Sequence, residues 1–272
     1  MILFSPAKIN LGLQILERRD DGFHNLRSLM YPTGLCDIIE IYQLAEGHNP
    51  VRFSQSGIRF DNDLEENLCI KAWKLMATEC PLPPVSIHLH KQIPVGAGLG
   101  GGSSNASTTL KGLNQLAGSP LPEKQIAALA GRLGSDCPFF LHQGPMMMEG
   151  RGEVLSRMAV SLEGYYLAIL FPGIHISSAE AYRAVSPAIP ETDLREIIQL
   201  PTDQWEGQIR NDFEVSAFQR HPLLEELKSC LYQAGASYAS LSGSGSALYG
   251  IFESDPELPE QLQNYMIWKG PA

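Results

Sequence analysis

Between Lys8 and Ile15 apolar residues occupy every second position, with Ile9, Leu11, Leu13 and Ile15 alternating against Lys8, Asn10, Gly12 and Gln14. A period of two puts the two sets on opposite faces of a strand, so Lys8 and Asn10 point the same way. A polar turn at Arg18-Arg-Asp-Asp-Gly22 leads into Phe23, His24 and Asn25, and a second strand-like run covers Asp37 to Tyr42. Glu65 to Thr78 has the helical period, with Leu68, Ala72, Leu75 and Met76 inward. Val85-Ser-Ile-His-Leu-His90 alternates as a strand, and Ala106, Leu110, Leu113 and Ala117 recur at helical spacing. Pro122 to Leu133 predicts another helix, stopping at Gly134 in the position that glycine favours after a helix C-terminus.

Beyond about residue 158 the pattern restarts. A buried strand is predicted at Tyr165 to Phe171, helices near Ala179 and over Leu223 to Ala234, strands around Tyr238 and over Ala247 to Phe252, and a last helix from Pro259. No internal repeat or low-complexity tract interrupts this order. Strands mixed with helices in both halves predict an α+β protein of two domains, 1–157 and 158–272.

The chain has 272 residues, 44% of them hydrophobic, enough to bury a full core. Its longest apolar run, Tyr165 to Phe171, is too short to span a bilayer, and no apolar stretch follows a basic N-terminus, so a cytoplasmic location is expected. The five cysteines, at 36, 69, 80, 137 and 230, form neither a C-x-x-C pair nor a cluster with histidine at metal spacing, and they read as reduced structural thiols. A net charge of −10 argues against nucleic acid and anionic membranes as partners. Any phosphate must then be held by local amides and a few cations.

Such amides are supplied by Pro94-Val-Gly-Ala-Gly-Leu-Gly-Gly-Gly-Ser-Ser-Asn-Ala106, where five glycines fall in seven positions between a strand and a helix. Without side chains the backbone N–H groups converge on an anion, and the positive end of the helix dipole lies beneath it. A P-loop would end in Gly-Lys-Ser/Thr, but Gly102 is followed by Ser103 and Ser104. Gly96, Gly98 and Gly101 satisfy the dinucleotide spacing, yet Glu123, the nearest acid about 20 residues on, opens a helix instead of closing a strand. The protein-kinase triplets His-Arg-Asp and Asp-Phe-Gly do not occur downstream. A flexible linker is disfavoured because a strand and an amphipathic helix abut the loop directly.

Three separated segments, Pro6-Ala-Lys-Ile-Asn10, Pro94 to Ala106 and Leu241-Ser-Gly-Ser-Gly-Ser246, together resemble the GHMP small-molecule kinases. Arg18-Arg-Asp-Asp-Gly-Phe-His24, Gly100-Gly-Gly-Ser-Ser-Asn105 and Gly134-Ser-Asp-Cys-Pro-Phe-Phe140 are similar to the branch of that family acting on 4-diphosphocytidyl-2-C-methyl-D-erythritol. Glu149-Gly-Arg-Gly-Glu153, Pro172-Gly173 and Asn211-Asp-Phe-Glu214 stand where that branch has similar segments. The resemblance implies an N-terminal domain like domain 2 of ribosomal protein S5 and a C-terminal ferredoxin-like domain, with the active site in the cleft between them. It also implies phosphorylation of the substrate's 2-hydroxyl by ATP, in the non-mevalonate route to isoprenoids, by a monomer or homodimer.

Carried over residue by residue, the resemblance makes Asp136 the catalytic base and Lys8 the lysine that pairs with it and with the transferring phosphoryl group. Pro94, Val95, Gly96, Ala97, Gly98, Leu99, Gly100, Gly101, Gly102, Ser103 and Ser104 fall to ATP. Asn10 and His24 fall to the cytosine edge, and Tyr182 and Phe23 to stacking, with phenylalanine standing where the family commonly has tyrosine. Mg²⁺ is expected to arrive with ATP, with no protein metal ligand assigned. Lys91 and Asn67 are assigned to the border of the adenine pocket. The bland readings are an Asp136 that caps its own turn, serines 103 and 104 that cap the following helix, and a Gly243–Gly245 loop that is only a hairpin. Two alternatives to the reaction stay open, another GHMP kinase and a non-catalytic ligand sensor.

Overall fold

The computed structural model describes residues 1–45, 47, 49–59 and 64–272. Strands β1 (Ile2–Arg18), β2 (His24–Gln43) and β3 (Val51–Gly57) are followed by α1 (Leu68–Glu79), β4 (Val85–Lys91), α2 (Gly101–Leu116) and α3 (Glu123–Leu133). A short 3-10 turn at Cys137–Leu141 precedes β5 (Met146–Gly150), β6 (Val154–Arg157) and β7 (Tyr166–Leu170). Helices α4 (Ser178–Ala184), α5 (Leu194–Ile197), α6 (Glu214–Arg220) and α7 (Pro222–Gln233) come next, then β8 (Tyr238–Leu241), β9 (Leu248–Phe252), α8 (Glu260–Gln263) and β10 (Met266–Pro271). No helix among the described residues is long and apolar enough to cross a membrane.

The chain forms two compact units. One contains Met1–Ala7, Leu35–Val95 and Gly100–Gln143, the other Lys8–Gly34, Gly96–Leu99 and Gly144–Ala272. In the first, β3 runs parallel to β4, and β4 pairs antiparallel with the second half of β2, from Ile38↔His90 to Gln43↔Val85. The period of two that exposes Glu40 turns Ile39 and Ile41 inward, and β4 adds Val85, Ile87 and Leu89. Against them pack Cys69, Ala72 and Met76 of α1, Ala106, Leu110 and Leu113 of α2, and Ile126, Leu129 and Ala130 of α3. Continuing the same alternation places Asp37, within β2, and Lys91, at the end of β4, on the core side, where both are almost wholly buried and must pair.

In the second unit, Leu26 to Met30 of β2 pair with β5, which pairs with β6. A separate antiparallel sheet has the order β10-β7-β9-β8, with α7 packed on it through Leu224, Leu227 and Leu231. β2 is longer than the strand expected over Asp37 to Tyr42, running from His24 through Pro32 and Gly34 to Gln43. A Cβ at Gly34 would lie 2.6 Å from Trp268, so the glycine lets the indole lie against an unbroken strand. The end of the chain also differs from expectation: after one turn of helix it adds an edge strand to β7. Gly134 does close α3, but at φ 172°, ordinary extended backbone. Space explains it better than handedness, since a Cβ there would sit 3.3 Å from the Cys137 sulfur.

Candidate active site

Three distant stretches of the second unit meet at the carbonyl oxygen of Gly98. Lys8 is 4% exposed, and a buried ammonium needs acceptors. Its Nζ donates to Gly98 O at 2.8 Å and to Asn10 Oδ1. From the other side Ser242 Oγ donates to the same Gly98 oxygen at 3.0 Å. The backbone N–H of Lys8 donates to Leu99 O, and that of Ala247 to Ala97 O, both at 3.0 Å. Gly98 has φ +79°, and a Cβ on it would stand 2.0 Å from the Ser242 carbonyl oxygen. Only glycine lets the two loops approach so closely.

Asn10 is 1% exposed and acts on the lysine. An ammonium can only donate, so the amide oxygen faces Lys8. The amide nitrogen donates to Ser28 Oγ at 2.8 Å, Ser28 Oγ donates to Gly12 O at 2.6 Å, and Tyr249 Oη donates to Asn10 O at 2.7 Å. The side chain assigned to a cytosine edge thus spends its amide on Lys8 and Ser28. Gly243 lies beside this cluster, where a Cβ would come 3.3 Å from Lys8 Nζ. Asn211 holds the β8–β9 connection by donating from Nδ2 to Leu241 O and Gly243 O, each at 2.8 Å. The connection therefore exceeds a simple hairpin turn: its backbone closes over the lysine.

Elsewhere in this unit the His24 and Tyr182 rings stack on each other, with centroids 5.4 Å apart and planes 24° apart. The edge of Phe213 meets Tyr182 at 5.0 Å. A base held between His24 and Tyr182 would need roughly 7 Å, twice the stacking repeat of DNA, so the pair must part to admit one. Phe23 is 56% exposed on the preceding turn, with the Arg151 guanidinium 5.1 Å above its ring.

In the first unit α2 starts at Gly101, so the last two glycines of the loop form its first turn. Gly100, in the left-handed conformation at φ 69°, is the N-cap, and no side chain caps the helix. Neither serine therefore caps. Ser104 is fully buried and its Oγ accepts from Ser5 Oγ at 2.8 Å. Ser103 turns towards Cys137, whose thiol burial pushes up to about 11 against hydrogen bonds from Ser103 and Ser107. Pro94 is buried and Val95 half-exposed.

Asp136 lies at the start of the 3-10 turn, with no side-chain capping bond. The capping reading fails for it as well. Ser107 Oγ donates to Cys137 O at 2.6 Å and binds this turn to α2, so Asp136 is carried beside the helix that the glycine loop opens. Lys91 and Asn67 are engaged otherwise than expected. Lys91 forms a buried ion pair with Asp37, although burial holds its ammonium below the usual lysine range. Asn67 caps α1, accepting from Cys69 N at 2.9 Å. Sequence reasoning missed Ser242, Asn211's role and Asp37; an acid on the same face as Ile39 and Ile41 is the signal that marks Asp37.

A family profile described as "GHMP kinases N terminal domain" matches residues 67–144, and one described as "GHMP kinases C terminal" matches 185–267. The chain is 43% identical over 272 residues to a Parabacteroides distasonis protein named 4-diphosphocytidyl-2-C-methyl-D-erythritol kinase, covering 99% of each. It is 45% identical over 260 residues to a Bacteroides thetaiotaomicron protein of the same name, covering 96% of this chain and 95% of that one. A crystal structure of 4-(cytidine 5'-diphospho)-2C-methyl-D-erythritol kinase superposes with a TM-score of 0.81 at 32% identity, over 99% of this chain and 98% of that one. A homoserine kinase from Cytophaga hutchinsonii gives 0.72 at 18% identity over 97% and 87%, a likeness of fold.

Proposed function

Because this chain belongs to the GHMP kinase family and has its α+β fold, we propose that it transfers the γ-phosphoryl group of ATP to the 2-hydroxyl of 4-diphosphocytidyl-2-C-methyl-D-erythritol. The products are ADP and the 2-phosphate, one step of the non-mevalonate route to isoprenoid precursors. The observation that carries the reading is the convergence of the Lys8, Gly98 and Ser242 segments on one carbonyl oxygen, in a chain that shares more than two-fifths of its residues with full-length relatives of that name.

Phosphoryl transfer to an alcohol requires a base for the hydroxyl proton, a cradle for the phosphates and positive charge where negative charge develops. Asp136 is the base. Lys8 supplies the charge, held in place by Asn10 and Gly98 so that no reorganisation is needed when the phosphoryl moves. The uncapped first turn of α2, with the glycine loop before it, offers backbone N–H groups and the positive helix end to the phosphates of ATP. Mg²⁺ would be carried on the phosphates of ATP and would neutralise part of their charge. His24, Tyr182 and Phe23 present the surface for the cytosine ring, with His24 and Tyr182 separating around it. The domains of this reading are 1–157 and 158–272, each holding one profile match, although Lys8–Gly34 and Gly96–Leu99 group with the second compact unit, and the proposed place of work is the cytoplasm.

The test is a coupled ADP-release assay with the cytidyl substrate, run beside mevalonate and homoserine. Turnover is expected with the cytidyl substrate alone, and turnover with a decoy instead would replace the substrate. Asp136→Asn is expected to keep ATP affinity and to lower kcat by roughly 10²–10⁴. A variant within a few-fold of wild type would remove Asp136 from the mechanism.

A further inference from the structure

The two ends of the glycine-rich loop are joined by one buried side chain. Asp37, 0% exposed, accepts hydrogen bonds from Gln92 N at 2.7 Å and Ile93 N at 2.9 Å, the two residues that lead into the loop at Pro94. Its other oxygen accepts from Asn105 Nδ2 at 2.9 Å, one turn into the helix by which the chain leaves the loop. The same oxygen accepts from Lys91 Nζ. We propose that Asp37, with Asn105 and Lys91, is a positioning clamp that sets the separation of the two loop ends and with it the aim of the amides that receive the ATP phosphates.

The geometry supports a dedicated device over ordinary core packing. An apolar residue at position 37 would continue the Ile39 and Ile41 stripe, and burying a carboxylate in its place is costly unless every lone pair is used. Here all four acceptor directions are used, and three of the four partners lie at the margins of the loop. Both N–H groups of the Asn105 amide are likewise committed, the second going to Ser5 Oγ at 3.0 Å. That oxygen also donates to Ser104, so the network reaches a loop serine directly. Lys91 Nζ lies 2.9 Å from where a Cβ on Gly101 would project, which puts the ion pair immediately beneath the first turn of α2. A backbone carboxylate contact fixes position better than apolar packing does, because hydrogen bonds are directional.

The inference rests on the proposed role of the loop in binding ATP, and its test separates the two. Asn105→Ala removes the tie on the helix side and leaves the ion pair intact. The double variant Asp37→Asn with Lys91→Met removes both charges at once, so no buried charge stands alone, and turns an amide N–H towards that of Asn105. Equilibrium affinities for ATP, ADP and adenosine are measured by calorimetry, and amide hydrogen exchange is followed at Val95 and Gly100 to Ser104 with α3 as reference. In whichever variant folds, affinity for ATP and ADP is expected to fall roughly tenfold or more, the scale of losing a hydrogen bond to a charged group. Adenosine affinity is expected to stay unchanged, while exchange at the loop margins speeds up and that of α3 does not. Equal losses for all three ligands, or no loss for any, would overturn the clamp. If the wild-type protein binds ATP no more tightly than adenosine, the proposed function fails instead. Exchange then decides the clamp alone, and unchanged protection at the loop margins rules it out.

Discussion

Alanine placed in turn at Gly98, Gly101 and Gly102 should produce three different outcomes from one chemical change. At Gly98 the backbone is left-handed at φ +79°, which costs an L-residue roughly 1–2 kcal/mol, and the new methyl would meet a backbone oxygen only 2.0 Å away. A carbonyl in a hydrogen-bonded loop cannot swing aside as a side chain can, so the overpacking adds roughly 1–3 kcal/mol. The sum is about 2–5 kcal/mol, and the shift also pulls the Gly98 oxygen from Lys8. At Gly101 the methyl would come 2.8 Å from Ile93 Cγ2 and 2.9 Å from Lys91 Nζ, side-chain atoms that can give by less than an exposed chain end because both residues are buried. There about 1 kcal/mol of helix propensity offsets part of the crowding, for a net loss of about 1 kcal/mol. At Gly102 a methyl would meet only Leu68 Cδ1 at 3.2 Å, and the helix gains up to about 1 kcal/mol. Urea midpoints should therefore rank Gly98→Ala far below Gly101→Ala, with Gly102→Ala at or above wild type. A Gly98→Ala protein as stable as wild type, or Gly102→Ala as the weakest of the three, would refute the steric argument.

If Lys8 acts as proposed, Lys8→Ala should lower kcat by about 10²–10³ by removing a fixed positive charge from the proposed site of phosphoryl transfer; unaltered steady-state rates would exclude that role. Iodoacetamide at pH 8 should spare Cys69 and Cys137, both pushed up to about 11 by burial, because only about one thiol in a thousand is then ionised. Peptide mapping checks this, and early labelling of either residue contradicts the burial. Burial raises the carboxyl of Asp212 above 3.8, so the native state holds its proton longer than the unfolded chain. The group's contribution is present below the unfolded value and is lost as pH rises through the folded one. Asp212→Asn, whose amide oxygen can still accept from Ile15 N, should therefore gain stability relative to wild type on going from pH 3.5 to pH 7. Parallel urea curves at the two pH values measure it, and a relative loss would reverse the sign.

Local pattern and tertiary outcome agree where an element carries its own signal. The strand through Ile9, Leu11, Leu13 and Ile15 and the helix through Ile126, Leu129 and Ala130 each bury the stripe their periods select. Agreement lapses where a segment borrows its order from a partner. Among the described residues β3 is half-exposed and pairs with β4 alone, and β10 pairs with the edge that β7 offers. The site divides in the same way. Glycine density marked the proposed phosphate loop because side-chain loss is a local property, whereas Ser242 and the carboxylate of Asp37 act on groups 144 and about 55 residues distant.

The sequence by itself determined the α+β class, the glycine loop and the ordered motifs of the GHMP kinases, because alternation, helical period and missing side chains are written residue by residue. Only the tertiary structure decided that Asn10 serves Lys8, that Lys91 is bound to Asp37 and that no serine caps α2. Hydrogen-bond partners are chosen by distance in space, and a buried donor or acceptor takes whichever partner the packing brings within about 3 Å.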